Sequence, residues 1–64
     1  MRLSQKWIVK LIALPESGMG YHIVDVHLKN GTVVYGLMVV NCEEIINLGN
    51  RSFSSFDIQD IKPH

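Results

Sequence analysis

Among the residues able to do chemistry, His22, His27 and His64, with Asp25 and Cys42, stand out. His22 and His27 are five apart on one extended run. Alternation along a strand sends them to opposite faces, so they cannot share a metal ion. Asp25 and His27 lie two apart on one face, the arrangement of a base oriented by a carboxylate. No nucleophile accompanies them on the same run, and the pair reads as a solvated polar patch. Cys42 precedes Glu43 and Glu44. Neighbouring carboxylates disfavour the thiolate, whereas reactive cysteines need positive surroundings. A metal centre needs more ligands than this thiol and a distant His64. Gly18-Met19-Gly20 lacks the third glycine and the following helix of a dinucleotide site, and reads as a hairpin connection. These residues predict no catalytic site, no cofactor and no metal.

The element that positions them is a hairpin over residues 21–40. Asn30-Gly31 separates two β-rich runs, and Asn-Gly is the strongest short signal for a type I′ turn. A two-residue loop sets the register. Leu28 then faces Val33, Val26 faces Tyr35, Val24 faces Leu37 and His22 faces Val39, on the face turned to the core. His27 with Val34, Asp25 with Gly36, Ile23 with Met38 and Tyr21 with Val40 make the other face.

Before the hairpin, residues 3–14 admit two patterns. As a helix they place Leu3, Trp7, Leu11 and Leu14 on one face. As a strand they alternate Trp7, Val9, Leu11 and Ala13 against Lys6, Ile8, Lys10 and Ile12. The β-branched Ile8, Val9 and Ile12 favour a strand over residues 6–14. Residues 15–20 form a loop, since Pro15 cannot continue a central ladder. After the hairpin, mid-strand Gly36 marks a bulge or sharp bend. Residues 45–48 form a short fourth strand and residues 49–52 a loop. Phe53 and Phe56 pack inward from a compact turn, and a last strand over residues 58–62 ends at Pro63. The expected fold is all-β, a single domain over residues 1–64: five short strands in an SH3-like, partly open small barrel, with the N-terminal segment helical in the alternative pattern.

Val24-x-Val26-x-Leu28-Lys29-Asn30-Gly31, followed by Gly36-Leu37, resembles the first half of the Sm motif of Sm-like proteins. The resemblance covers about a third of the chain. It implies a strongly bent five-stranded barrel of the kind that often assembles into rings and binds RNA. The family's Asp and Asn after the glycine, and its closing Arg-Gly or Lys-Gly, are not matched here. The resemblance therefore bears on architecture. The whole chain also looks like short bacterial proteins of uncharacterised function that carry the loop Leu14-Pro15-Glu16-Ser17-Gly18-Met19-Gly20-Tyr21, a likeness that brings no function with it.

Six basic and six acidic residues cancel. A nucleic-acid domain normally shows a basic excess or stripe, so RNA binding ranks behind protein contact. No apolar run reaches the ~20 residues a bilayer span needs. One cysteine forms no disulfide within the chain, and a cytoplasmic location is expected. Sixty-four residues bury only about 60% of their unfolded surface, which favours self-association. The expected surface is Trp7, Tyr21, Ile23, Met38 and Val40, the expected partner a second copy in a dimer or another protein. Contact could be made face to face or along a sheet edge.

Overall fold

A computed structural model describes residues 1–49 and 51–64. The loop expected over residues 49–52 includes Asn50, which lies outside the described residues. The chain forms helix α1 (Gln5–Ile12), strands β1 (Tyr21–Leu28), β2 (Val33–Val40) and β3 (Glu44–Ile45), a 3-10 turn (Ser55–Asp57) and strand β4 (Ile58–Pro63). The strands make one curled antiparallel sheet in the order β3-β2-β1-β4. The fold is thus mostly β, with four strands and one helix, in place of five strands.

The hairpin forms, but its turn differs from the expected one. Gly31 has φ +93°, while Asn30 does not enter the left-handed region. The Gly31 N–H donates to Leu28 O (3.0 Å) and the Leu28 N–H to Thr32 O (2.8 Å). This is a three-residue loop, in which only its glycine needs a positive φ. The Asn30 side chain closes it by accepting from the Thr32 N–H at 2.9 Å. The extra loop residue shifts the pairing by one, so His27 faces Val33 and Val26 faces Val34.

A second irregularity cancels the first. Tyr35 and Gly36 together stand opposite Asp25, a bulge in β2. Beyond it Val24 faces Leu37, Ile23 faces Met38, His22 faces Val39 and Tyr21 faces Val40, the expected register. The correction is local. Val34 enters the core and Tyr35, expected inside, is 65% exposed. Gly36, at φ +70°, absorbs the backbone change that a side chain there would resist. The conformation of a type I′ turn appears instead between β2 and β3, where Asn41 and Cys42 both have positive φ (53° and 62°).

In place of the strand expected over residues 6–14, Gln5–Ile12 form the helix α1. The β-branched residues are outweighed by burial. Leu3, Trp7 and Leu11 are at most 4% exposed, and Val9 and Ile12 face solvent. A strand would have split the large apolar groups between two faces. The helix puts them on one, over a sheet face that must be covered. They pack with Val24, Val26, Leu37, Val39, Ile45, Ile58 and Ile61. The helix ends at Ile12 with Ala13 as its C-cap, and Pro15 shortly beyond lacks the N–H to continue it.

His22 ties this layer to the sheet. It is buried, and its Nε2–H donates to Leu14 O at 3.0 Å, while Nδ1 has no partner. Ahead of the helix, Arg2 pairs with Glu44, so residues 1–3 lie along the free side of β3. The Leu3 N–H donates to Glu43 O and the Ile45 N–H to Met1 O, both at 2.8 Å. Of the two phenylalanines expected inside, Phe53 packs against the core, but Phe56 is 81% exposed. The 3-10 turn directs Phe56 outward.

Helix and strand give opposite forecasts for two neighbouring residues. Leu11→Ala should cost about 2–5 kcal/mol of unfolding free energy, and Val9→Ala within about 0.5 kcal/mol of nothing. Chemical denaturation measures both; equal losses would restore the strand. Gly36→Ala, which meets no atom within 4 Å, should still cost about 1–2 kcal/mol for its left-handed backbone.

Candidate interaction surface

The strands present their other face away from α1. Ile23 faces Met38 across the β1–β2 ladder, and Tyr21 faces Val40. All four side chains are half-buried. The Ile46 N–H donates to Met38 O at 3.0 Å, which sets Ile46 beside Met38 in the same row. Ile46 is 55% exposed. Tyr35, turned outward by the bulge, widens the patch. Sequence alternation finds four of these six residues. Ile46 could have been found by alternating outward from Ile45, whereas Tyr35 depends on a bulge whose position the pattern does not reveal. Trp7, expected here, is 4% exposed and belongs to the core on the opposite side of the sheet.

The loop before β1 shapes one end of the patch. The Ile23 N–H donates to Ser17 Oγ at 2.8 Å. The Tyr21 ring lies against Gly18 so closely that a Cβ there would sit 2.3 Å from it. Gly18 is therefore a steric requirement of the Tyr21 position.

The far end of the patch is polar. Asp25 Oδ1 accepts from the Gly36 N–H at 3.1 Å and pairs with His64 Nδ1 at 2.6 Å. The bulge removes the Gly36 N–H from the ladder, and this carboxylate satisfies it. Burial opposes ionisation of Asp25. The His64 hydrogen bond, the Gly36 N–H and the charges of His64 and His27 outweigh it, and hold the carboxyl below its ordinary pKa. The sequence suggested His27 as the partner; the structure makes it His64, 39 residues away and invisible to local spacing. Asp60 is also held low, chiefly by its hydrogen bond from Lys10 on α1, with help from the Ile61 N–H and the charges of Lys10 and Lys62, against burial. Cys42 sits in the turn at the other end of β2, away from Asp25. Among the described residues, no group of three or more His, Cys, Asp or Glu could hold a metal ion, and no helix is long and apolar enough to cross a membrane.

The sheet edges are blunted. Asn47 takes the place of a strand beside β2, its Oδ1 accepting from the Met38 N–H (2.7 Å) and its Nδ2 donating to Gly36 O (3.2 Å). Residues 1–3 line β3. The β1–β4 register shifts at His27–Leu28, and β4 ends in Lys62 and Pro63. A bulge, a lysine and a proline are the usual defences of an edge.

Comparison with family models, curated proteins and solved structures found no match for this chain.

The two lowered carboxyls predict acid sensitivity. Their contribution to stability is present above the unfolded Asp value of about 3.9 and is lost as the pH falls through the lower folded values. Thermal melts of Asp25→Asn/Asp60→Asn should therefore decline less steeply than wild type between about pH 5 and about pH 2. An unchanged acid limb would show that neither ion pair carries it.

Proposed function

We propose that this chain is a non-catalytic protein-interaction module whose contact surface is the outer face of β1, β2 and β3, and that a second copy of the chain is a partner. The observation that carries the reading is the apolar row Ile23–Met38–Ile46, which runs from β1 across β2 to the residue after β3 and is continued by Tyr35 and Val40. Large apolar side chains gathered on one face, rather than scattered singly, mark contact sites. The blunted edges support a face-to-face contact over strand pairing. The curl of the sheet, extended at β3 by residues 1–3, is read as a partly open small barrel whose outer face this is. Zero net charge leaves little long-range repulsion between copies.

Light scattering across a concentration series tests the reading. Wild type should approach twice the 7.3 kDa chain mass, and Met38→Lys should return the monomer with its NMR dispersion intact. An oligomer that survives Met38→Lys would place the contact elsewhere. A wild-type monomer at high micromolar concentration would remove self-association. RNA retention that weakens steeply with salt, and is lost when Lys6, Lys10 and Lys62 are neutralised, would put nucleic acid ahead of protein.

A further inference from the structure

On the helix side of the molecule, away from the outer face, the start of α1, the β1–β2 loop and the 3-10 turn enclose a groove of about 270 Å³. Trp7 and Ile58 line it, Phe56 stands at its lip, and Lys6 and Lys29 flank it. It adjoins a smaller hollow of about 180 Å³ beside Leu28 and Asn30, to which Lys29 also contributes.

The two ammonium groups at this groove are outside the ion pairs. Arg2 is paired with Glu43 and Lys10 with Asp60, whereas Lys6 and Lys29 make no ion pair among the described residues. Lys6 Nζ lies 4.8 Å from the centre of the Trp7 ring, a cation–π contact that holds the ammonium at the groove. Asp57 borders the smaller hollow but turns its carboxylate to Ser54, accepting from the Ser54 N–H at 2.9 Å and from Ser54 Oγ at 3.3 Å. The same contacts brace the turn that carries Phe56. A ring 81% exposed on a braced turn, beside two unpaired ammonium groups, offers an aromatic surface and a cationic one together.

We propose that this groove binds a small aromatic oxyanion, a single ring bearing a carboxylate or a phosphate. The head group sits between Lys6 and Lys29, where charge-assisted hydrogen bonds are short and strong. Lysine is a rotatable point charge and accepts either head group, whereas a guanidinium fork would select planar bidentate geometry. The ring packs against Phe56 in an offset or edge-on contact, over the apolar floor. The volume lies just under the ~300–1,000 Å³ of pockets for drug-sized ligands, which suits one ring. The Ser4 hydroxyl makes no cap hydrogen bond to the helix and is free to donate to the anion.

Phenyl phosphate and benzoate are the probes, with benzyl alcohol as the uncharged ring and inorganic phosphate as the ringless anion. Amide shifts in NMR titrations locate binding, and fluorescence of Trp7, the one tryptophan in the chain, reports it independently. Both aromatic anions should saturate with shifts centred on Lys6, Lys29 and Phe56; whichever binds tighter identifies the preferred head group. Lys6→Gln and Lys29→Gln should each weaken phenyl phosphate about three- to fivefold, the range of one exposed charge contact. Phe56→Ala should weaken phenyl phosphate and leave inorganic phosphate unchanged. Lys62→Gln should change neither. Benzyl alcohol binding as well as benzoate, affinities indifferent to both lysine variants, shifts centred elsewhere, or no saturation at tens of millimolar probe would each overturn the proposal. None of these outcomes depends on the oligomeric state that tests the outer face.

Discussion

Two residues of β2, Tyr35 and Gly36, stand opposite one residue of β1, Asp25, and the division of side chains between the two sheet faces follows from this bulge. The three-residue turn would by itself carry its register through the hairpin and invert the second half of β2. Leu37 and Val39 would point outward and Met38 inward. The bulge restores them. It carries two costs, a left-handed backbone at Gly36 and an amide removed from the ladder. Glycine reduces the first. The Asp25 carboxylate meets the second and is itself held by His64 from the end of β4. One carboxylate thus links the middle of β2 to the end of the chain.

The inner face needs a cover, and the N-terminal segment provides it with Leu3, Trp7 and Leu11, alongside Leu48 and Phe53 from the segment after β3. This need overrides the strand preference of Ile8, Val9 and Ile12. Helix propensity differs among ordinary residues by tenths of a kilocalorie per mole, whereas burying Leu11 or Trp7 is worth on the order of 2 kcal/mol each. The cover is fastened at both ends, by residues 1–3 along β3 and by His22 to Leu14 O. The unpaired Nδ1 of His22 is the one buried side-chain polar atom without a partner among the described residues. Elsewhere in the core the large buried side chains are aliphatic or Trp7.

Side chains finish what the short strands leave incomplete. Strand β3 has two residues, and beyond it the Asn47 amide supplies both a donor and an acceptor to β2. Strand β4 is guarded by its register shift, Lys62 and Pro63. Closing the edges in this way leaves the broad outer face as the open part of the sheet. The groove over the start of α1 is a separate feature of the cover. It exists because the 3-10 turn and the hairpin loop meet the helix without filling the space between them.

The hairpin, its outer register, the bending role of Gly36, the last strand and the apolar set Tyr21, Ile23, Met38 and Val40 were legible in the sequence. Each rests on local chemistry: turn residues, a period of two and the special backbone of glycine. The helical spacing of Leu3, Trp7, Leu11 and Leu14 was legible too, but local preference pointed the other way, and only the exposed inner face of the sheet decided between them. Tertiary structure alone placed Trp7 in the core, turned Tyr35 and Phe56 outward, joined Asp25 to His64 and brought Lys6 to the same groove as Lys29. These depend on contacts between segments far apart in the chain. Their energies enter only once the backbone has closed, so no window of sequence contains them.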